Sequence, residues 1–282
     1  MARGALFFNK ARGKVGNVVL SVMGGQQISR AYNESNSNKG DNATELQREQ
    51  RVKLGNLINV YRLLKKSELL AFATKDQKMS DYNAFIQANL SNNMVALTRD
   101  EFQKGFTMID DYIVSKGGLG SIFVTTDDEF FSINYYFSEA FDFTNNKTLG
   151  YVSTALMNAI PWLADGDLFT LVLTHTTDDG TTSVSYKQVK IDSTSTETFD
   201  GTKLFFNTSF DPNDQVNFTL NNGNAAVIVT RKVNGSVDAS YSKFDTSTNT
   251  FVQNHKTAAA WLAAKQSYGY KETPMLNPDS VD

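Results

Sequence analysis

The sequence has no cysteine and, in 282 residues, only two histidines, two tryptophans and four prolines. Without cysteine there is no disulfide framework, no thiolate metal cage and no thiol nucleophile, so stability must come from burial, with oligomerisation as a further source open to the chain. His175 and His255 stand alone, and a serine triad, a metalloprotease motif or a three-histidine zinc site each demands a constellation they do not supply. Ser153 and Ser183 lack the Gly-x-Ser-x-Gly elbow of hydrolases. No apolar run approaches the roughly 20 residues that span a bilayer, and the first eight residues hold too short an apolar stretch for a signal peptide. The expectation is a chain without a membrane span that is not exported.

What is present is an ordinary globular composition, 40% hydrophobic and 12% aromatic, with Phe and Tyr far outnumbering Trp. The length suits one large domain or two ordinary ones. Charge is unevenly spread. Residues 1–66 carry twelve Lys and Arg against four acids, a balance of +8, which leaves −11 for the remainder of a chain whose net charge is −3. Such a two-ended chain can draw a polyanion to one end or let one subunit's head meet its neighbour's tail. A solvated basic helix face is the plainer alternative.

Residues 4–32 read as a β-arm, with apolar runs at Ala5–Phe8, Val18–Val22 and Gln27–Tyr32 separated by Gly13, Gly16 and the pair Gly24-Gly25, which supply turn positions. A polar loop follows at 33–42. Thr44-Glu45-Leu46-Gln47 has the form of a capping box, and Leu54, Leu57, Ile58, Tyr61 and Leu64 recur at helical spacing, so a long amphipathic helix is expected from there to about Ala73, with Gly55 as a weak point. A short helix is expected over Asp81–Leu90 and the capped start of a third at Thr98-Arg99-Asp100-Glu101.

After Leu119 the period changes to that of strands. Ser121–Val124, Phe130–Phe137, Leu168–Thr174, Ser183–Ile191, Leu204–Phe206, Val216–Leu220, Ala226–Thr230 and Val237–Phe244 alternate with Asn, Asp, Gly and Ser, including the turns Asp178-Asp179-Gly180 and Asn234-Gly235. This density predicts an antiparallel sandwich or barrel. A short helix over Tyr151–Ile160 and a closing helix over Thr257–Gln266, with Gly269 just beyond it, complete the pattern. The fold class is therefore α+β, with a β-arm and helical region over 1–118, a β-domain with a C-terminal helix over 119–282, and the boundary at Lys116-Gly117-Gly118.

Gly13-Lys14-Val15-Gly16 has the spacing of a loop that clamps nucleic-acid backbone in one RNA-binding module, but β-patterned runs flank it and turn formation is the simpler reading. The acid clusters Asp110-Asp111, Asp127-Asp128-Glu129, Asp165-Gly166-Asp167 and Asp178-Asp179 do not fit a calcium loop and read as turn residues. No catalytic, cofactor-binding or metal residue is assigned from the sequence. The basic N-terminal region is a candidate for nonspecific DNA contact through phosphates, which salt would weaken steeply.

Taken together, Gly13-x-x-Gly16-x-Val18-Val19, Gly25, Arg30-x-Tyr32 and Thr44-x-x-Gln47-x-x-x-Arg51 resemble an uncharacterised domain family of Bacteroidota and their crAss-like phages. In that family a Gly-rich arm runs into a Gln/Arg-bearing helix and then an immunoglobulin-like β-domain. Gly166-Asp167 and Ala226–Lys232 are similar to its C-terminal half, while Asn38-Lys39-Gly40-Asp41 departs from its usual Asn-Pro. The resemblance implies a non-enzymatic structural protein of the virion. It would be a tail or neck ring component made in the host cytoplasm, without a cofactor, assembling with copies of itself and with other virion proteins. Gly13, Gly16, Arg30, Tyr32, Arg48 and Arg51 are the candidate assembly residues. A glycan- or host-surface-binding β-module is the alternative, and a glycan-active enzyme ranks last.

Overall fold

The structure is a computed structural model that describes residues 12–23, 26–31, 43–66, 69–126, 130–142, 147–199, 209–210, 215–219, 223–245 and 250–269. The chain divides into two compact units, Met1–Thr44 with Gly269–Asp282, and Glu45–Tyr268. The expected strands at Ala5–Phe8 and Leu204–Phe206, the turn Gly24-Gly25 and the loop at 33–42 lie outside the described residues.

The first unit contains an antiparallel three-stranded meander of β1 (Gly13–Val15), β2 (Val18–Met23) and β3 (Gln26–Ala31). Val15 pairs with Val18 across the two-residue turn Gly16-Asn17, and Gly16 takes φ +57°, a conformation that favours glycine. The β-branched run of β2 makes it the central strand, paired along its length with β3 from Val18↔Ala31 to Met23↔Gln26.

The second unit opens with α1 (Glu45–Lys66), whose residues Leu57, Val60 and Leu64 are buried at helical spacing. β4 (Ala71–Phe72), α2 (Asp81–Asn89) and α3 (Arg99–Lys104) follow. The box at Thr98 forms as its sequence predicts. Glu101 N–H donates to Thr98 Oγ1 at 3.3 Å, and the Thr98 N–H donates to Glu101 Oε2 at 2.8 Å. Then come β5 (Ile113–Lys116), β6 (Ser121–Ile122), β7 (Val124–Thr126), β8 (Phe130–Tyr136), β9 (Phe141–Asp142) and α4 (Leu149–Ala159). The remaining elements are β10 (Leu168–Thr176), β11 (Thr182–Lys190), β12 (Ser209–Phe210), β13 (Gln215–Thr219), β14 (Asn224–Val233), β15 (Ser236–Ala239), β16 (Tyr241–Lys243), α5 (Thr250–Asn254) and α6 (Ala258–Gly269). No helix among the described residues is long and apolar enough to cross a membrane.

The organising layer is the antiparallel sheet β11-β10-β14-β15. Its central strands alternate between two hydrophobic clusters. Phe169, Leu171, Ala225, Val227 and Val229 face one cluster, shared with α4 (Val152, Leu156) and with Phe131, Ile133 and Val216 of the sheet β13-β8-β7. Val172, Ala226 and Ile228 face the other, shared with Leu57, Val60 and Leu64 of α1, Phe85 of α2, Phe72 and Val114. Apolar side chains on both faces explain why β10 and β14 read as nearly continuous apolar runs. At the α1 side, Asn56 and Tyr112 are buried and fully engaged. Asn56 Nδ2 donates to Tyr112 Oη at 2.8 Å and to the Met108 carbonyl at 2.7 Å, and Tyr112 Oη donates to Asn93 Oδ1 at 2.6 Å.

Several expectations change in detail. The helix from Thr44 stops at Lys66, because Ala71–Phe72 extends and pairs in parallel with β5, Ala71 opposite Ser115. The single strand expected over Val237–Phe244 breaks at Ser240, where the chain leaves β14 for the sheet β4-β5-β16-β6. Gly269 is the last residue of the closing helix rather than a cap beyond it, and Thr257 Oγ1 caps its start by accepting from the Ala260 N–H at 3.1 Å. The α+β class stands. Lys116-Gly117-Gly118 falls inside the second unit, where the Gly118 N–H donates to Asp238 Oδ1 at 2.8 Å.

Candidate assembly interface

Among its described residues the arm sheet buries no side chain. All six residues of β3 are exposed, as are all three of β1, and only Val19, Leu20, Ser21 and Val22 of the described β2 side chains are half-buried. Paired residues of antiparallel strands share a face. One face therefore carries Val15, Val18, Leu20, Val22 and Ala31, with Ser29 and Gln27 among them. The opposite face carries the row Lys14-Val19-Arg30. Residues 12–31 include Arg12, Lys14 and Arg30 and no acid, so the sheet is cationic as well as exposed.

Of the sequence candidates, Gly13, Gly16 and Arg30 lie together in this sheet. Gly13 stands in register with Leu20 at φ +129°. Gly16 makes the turn, and Arg30 ends the cationic row. Tyr32 lies outside the described residues. Arg48 and Arg51 sit on α1 in the other unit, both half-buried, and Arg51 Nη1 donates to the Tyr268 carbonyl at 3.4 Å near the end of α6. Lys14, which sequence spacing did not single out, joins Arg30 through the register of three strands.

The second unit offers edges and clefts. β11 is the longest edge strand described, nine residues paired to β10 without a register shift from Leu168↔Lys190 to Thr176↔Thr182. A cleft of about 520 Å³ runs over Leu168, Thr170, Ile228, Thr230 and Val237 beneath the Leu69–Ala73 segment, with the ion pair Lys75–Asp81 among its lining residues. A second of about 410 Å³ lies between α1 and the β10–β11 turn, lined by Arg62, Lys104, Phe106 and Asp179.

Several buried or half-buried titratable groups are tied into ion pairs. Asp167, with no exposed surface, accepts from Arg231 Nε and Nη2, each at 2.7 Å, and Arg231 also donates to the Trp162 carbonyl at 2.7 Å. Lys256 Nζ meets Asp110 at 2.8 Å. His255 Nε2 lies 3.1 Å from Glu101 Oε1. Burial acts most strongly and against both charges of this last pair, and their mutual hydrogen bond outweighs it only together with the bonds that Thr98 gives Glu101 and that His255 makes to the Phe251 carbonyl. The Glu101 carboxyl, also held by Thr98, falls to about 2, and the His255 imidazole is raised. Among the described residues no group of three or more His, Asp or Glu is placed to hold a metal ion.

One group of aromatic rings stacks beside α4. Phe137, Phe141 and Tyr151 stack at 5.0 and 5.2 Å, with Lys147 Nζ 4.8 Å from the Tyr151 ring centre, but Phe137 and Phe141 are buried. Comparison with protein-family profiles, with curated proteins and with solved structures finds no match to this chain.

Proposed function

We propose that the chain is a structural subunit of a phage virion, a tail or neck ring component that joins its neighbours through the N-terminal β-arm. One observation carries this reading: a cationic three-stranded sheet whose edge strand β3 is exposed at every residue. An edge strand leaves amides and carbonyls that another chain can complete, and a small sheet without a core gains its stability from what it packs on. The resemblance in the arm motif supports the virion setting, with assembly in the host cytoplasm and incorporation near the tail or portal. The face-to-face packing of β11-β10-β14-β15 on β13-β8-β7 supports an immunoglobulin-like reading of the β-domain. The cationic row supports accessory contact with DNA phosphates. A glycan-binding module has less support, because two of the three stacked rings are buried.

Deleting residues 1–32 tests the proposal. The truncated chain keeps the circular dichroism of a folded body and loses self-association in sedimentation velocity. Normal oligomers from the truncated chain would overturn the assembly role.

A further inference from the structure

We infer that β3 of one copy pairs antiparallel with β11 of the next, so that arm sheet and body sheet become one continuous sheet across the subunit boundary. The inference rests on the reading of the chain as an arm-linked subunit and names the acceptor of that arm.

The acceptor follows from comparing the edges of the second unit. β4, β6, β9 and β12 have two residues each, β7 three, β15 four and β13 five; β15 carries Asp238, and β13 has a register shift against β8 between Gln215 and Asn217. β11 has nine, and its stretch Thr182–Tyr186 is Thr-Ser-Val-Ser-Tyr, with no charge, no proline and no register shift against β10. Lysines, prolines and bulges are the usual means of keeping an edge from pairing, and this stretch has none of them. Ser183, Ser185 and Tyr186 are exposed. On the donor side, Ile28–Ala31 of β3 is likewise exposed, free of proline and in unbroken register with β2.

Charge selects the direction. In an antiparallel pair the Arg30 end of β3 lies beside the Thr182 end of β11, next to Asp178 and Asp179, both exposed at the β10–β11 turn. A parallel pair would carry Arg30 toward Lys187 and Lys190. The contact is between two different surfaces of the same chain, which is the kind that propagates head to tail and closes into a ring when the rotation permits.

The absence of cysteine makes the test direct, since every thiol introduced is unique. Full-length Ser29→Cys chains are mixed with full-length Ser183→Cys or Ser185→Cys chains and mildly oxidised. The expected product is a disulfide-linked pair of one arm variant and one β11 variant. Arm-dependent oligomers that give only Ser29→Cys pairs, or no cross-link to β11, would overturn this inference and leave the arm-linked reading intact. A wild-type chain that stays monomeric at every concentration would overturn both. As a second measurement, Arg30→Glu weakens self-association about tenfold and Asp178→Arg in the same chain restores it; an Arg30→Glu chain that assembles normally would count against the pairing.

Discussion

The Tyr268 hydroxyl lies 2.9 Å from the point where a Cβ on Gly55 would stand, so the weak position in α1 is the space into which the end of α6 inserts. That hydroxyl is buried and has no hydrogen-bond partner among the described residues, and burial pushes it up to about 12. Tyr268→Phe removes an unsatisfied buried group and raises stability by about 1 kcal/mol. Gly55→Ala alone loses its helical gain to the clash, but in the Phe background it adds up to about 1 kcal/mol. Urea denaturation of the four chains of this double-mutant cycle measures the coupling.

Arg231→Met leaves the Asp167 carboxylate buried without its counter-charge, although the Ala164 N–H still donates to its Oδ2 at 2.9 Å. The expected loss is about 3 to 5 kcal/mol, larger than for surface ion pairs such as Lys104–Asp100. Chemical denaturation compares the two. An Arg231→Met chain as stable as Lys104→Met would mean that Asp167 is not the buried anchor its geometry makes it.

The Glu101–His255 pair sets a pH window. The Glu101 contribution is complete above the usual carboxyl value of 4.5 and is lost as pH falls toward about 2. His255, raised above the usual 6.5, contributes fully below that value, and its share is lost as pH rises through the elevated one. The pair therefore stabilises most between 4.5 and 6.5. In His255→Gln the decline on the alkaline side of that window disappears from a plot of melting temperature against pH.

A Cβ on Gly117 would lie 2.2 Å from the Ala239 carbonyl oxygen, so Gly117→Ala forces backbone apart and costs about 2 kcal/mol or more. A fragment of residues 119–282 uncovers Val172, Ala226 and Ile228, which α1 and α2 bury, and it fails to give a cooperative thermal transition.

Local chemistry was legible in the sequence, and pairing between distant segments was not. The box at Thr98 needs only residues 98–101, and the Asn234-Gly235 turn needs only its own positive φ values of +49° and +81°. Both form where the sequence places them. Ala71–Phe72 continues the apolar spacing of α1, and only its pairing with β5, more than forty residues on, extends it into a strand. Ser240 looks like one more residue of a strand. Its hydroxyl accepts from the Val229 N–H at 3.0 Å while the chain turns to a different sheet, a partnership no local pattern announces. At the candidate interface, Gly16 and Arg30 were visible as turn-former and interface candidate. The alignment of Arg30 with Lys14 and the nine-residue edge of β11 exist only once the strands are in register.

The nine-pair ladder between β11 and β10 has a mechanical consequence. A pull along the strand axis loads all nine register pairs at once, in shear, whereas a pull across it would open them one after another from an end. Beyond β10 the load passes into β14 through seven further pairs, Leu168↔Thr230 to Thr174↔Asn224. Along these ladders the sheet resists most in the direction in which β11 runs.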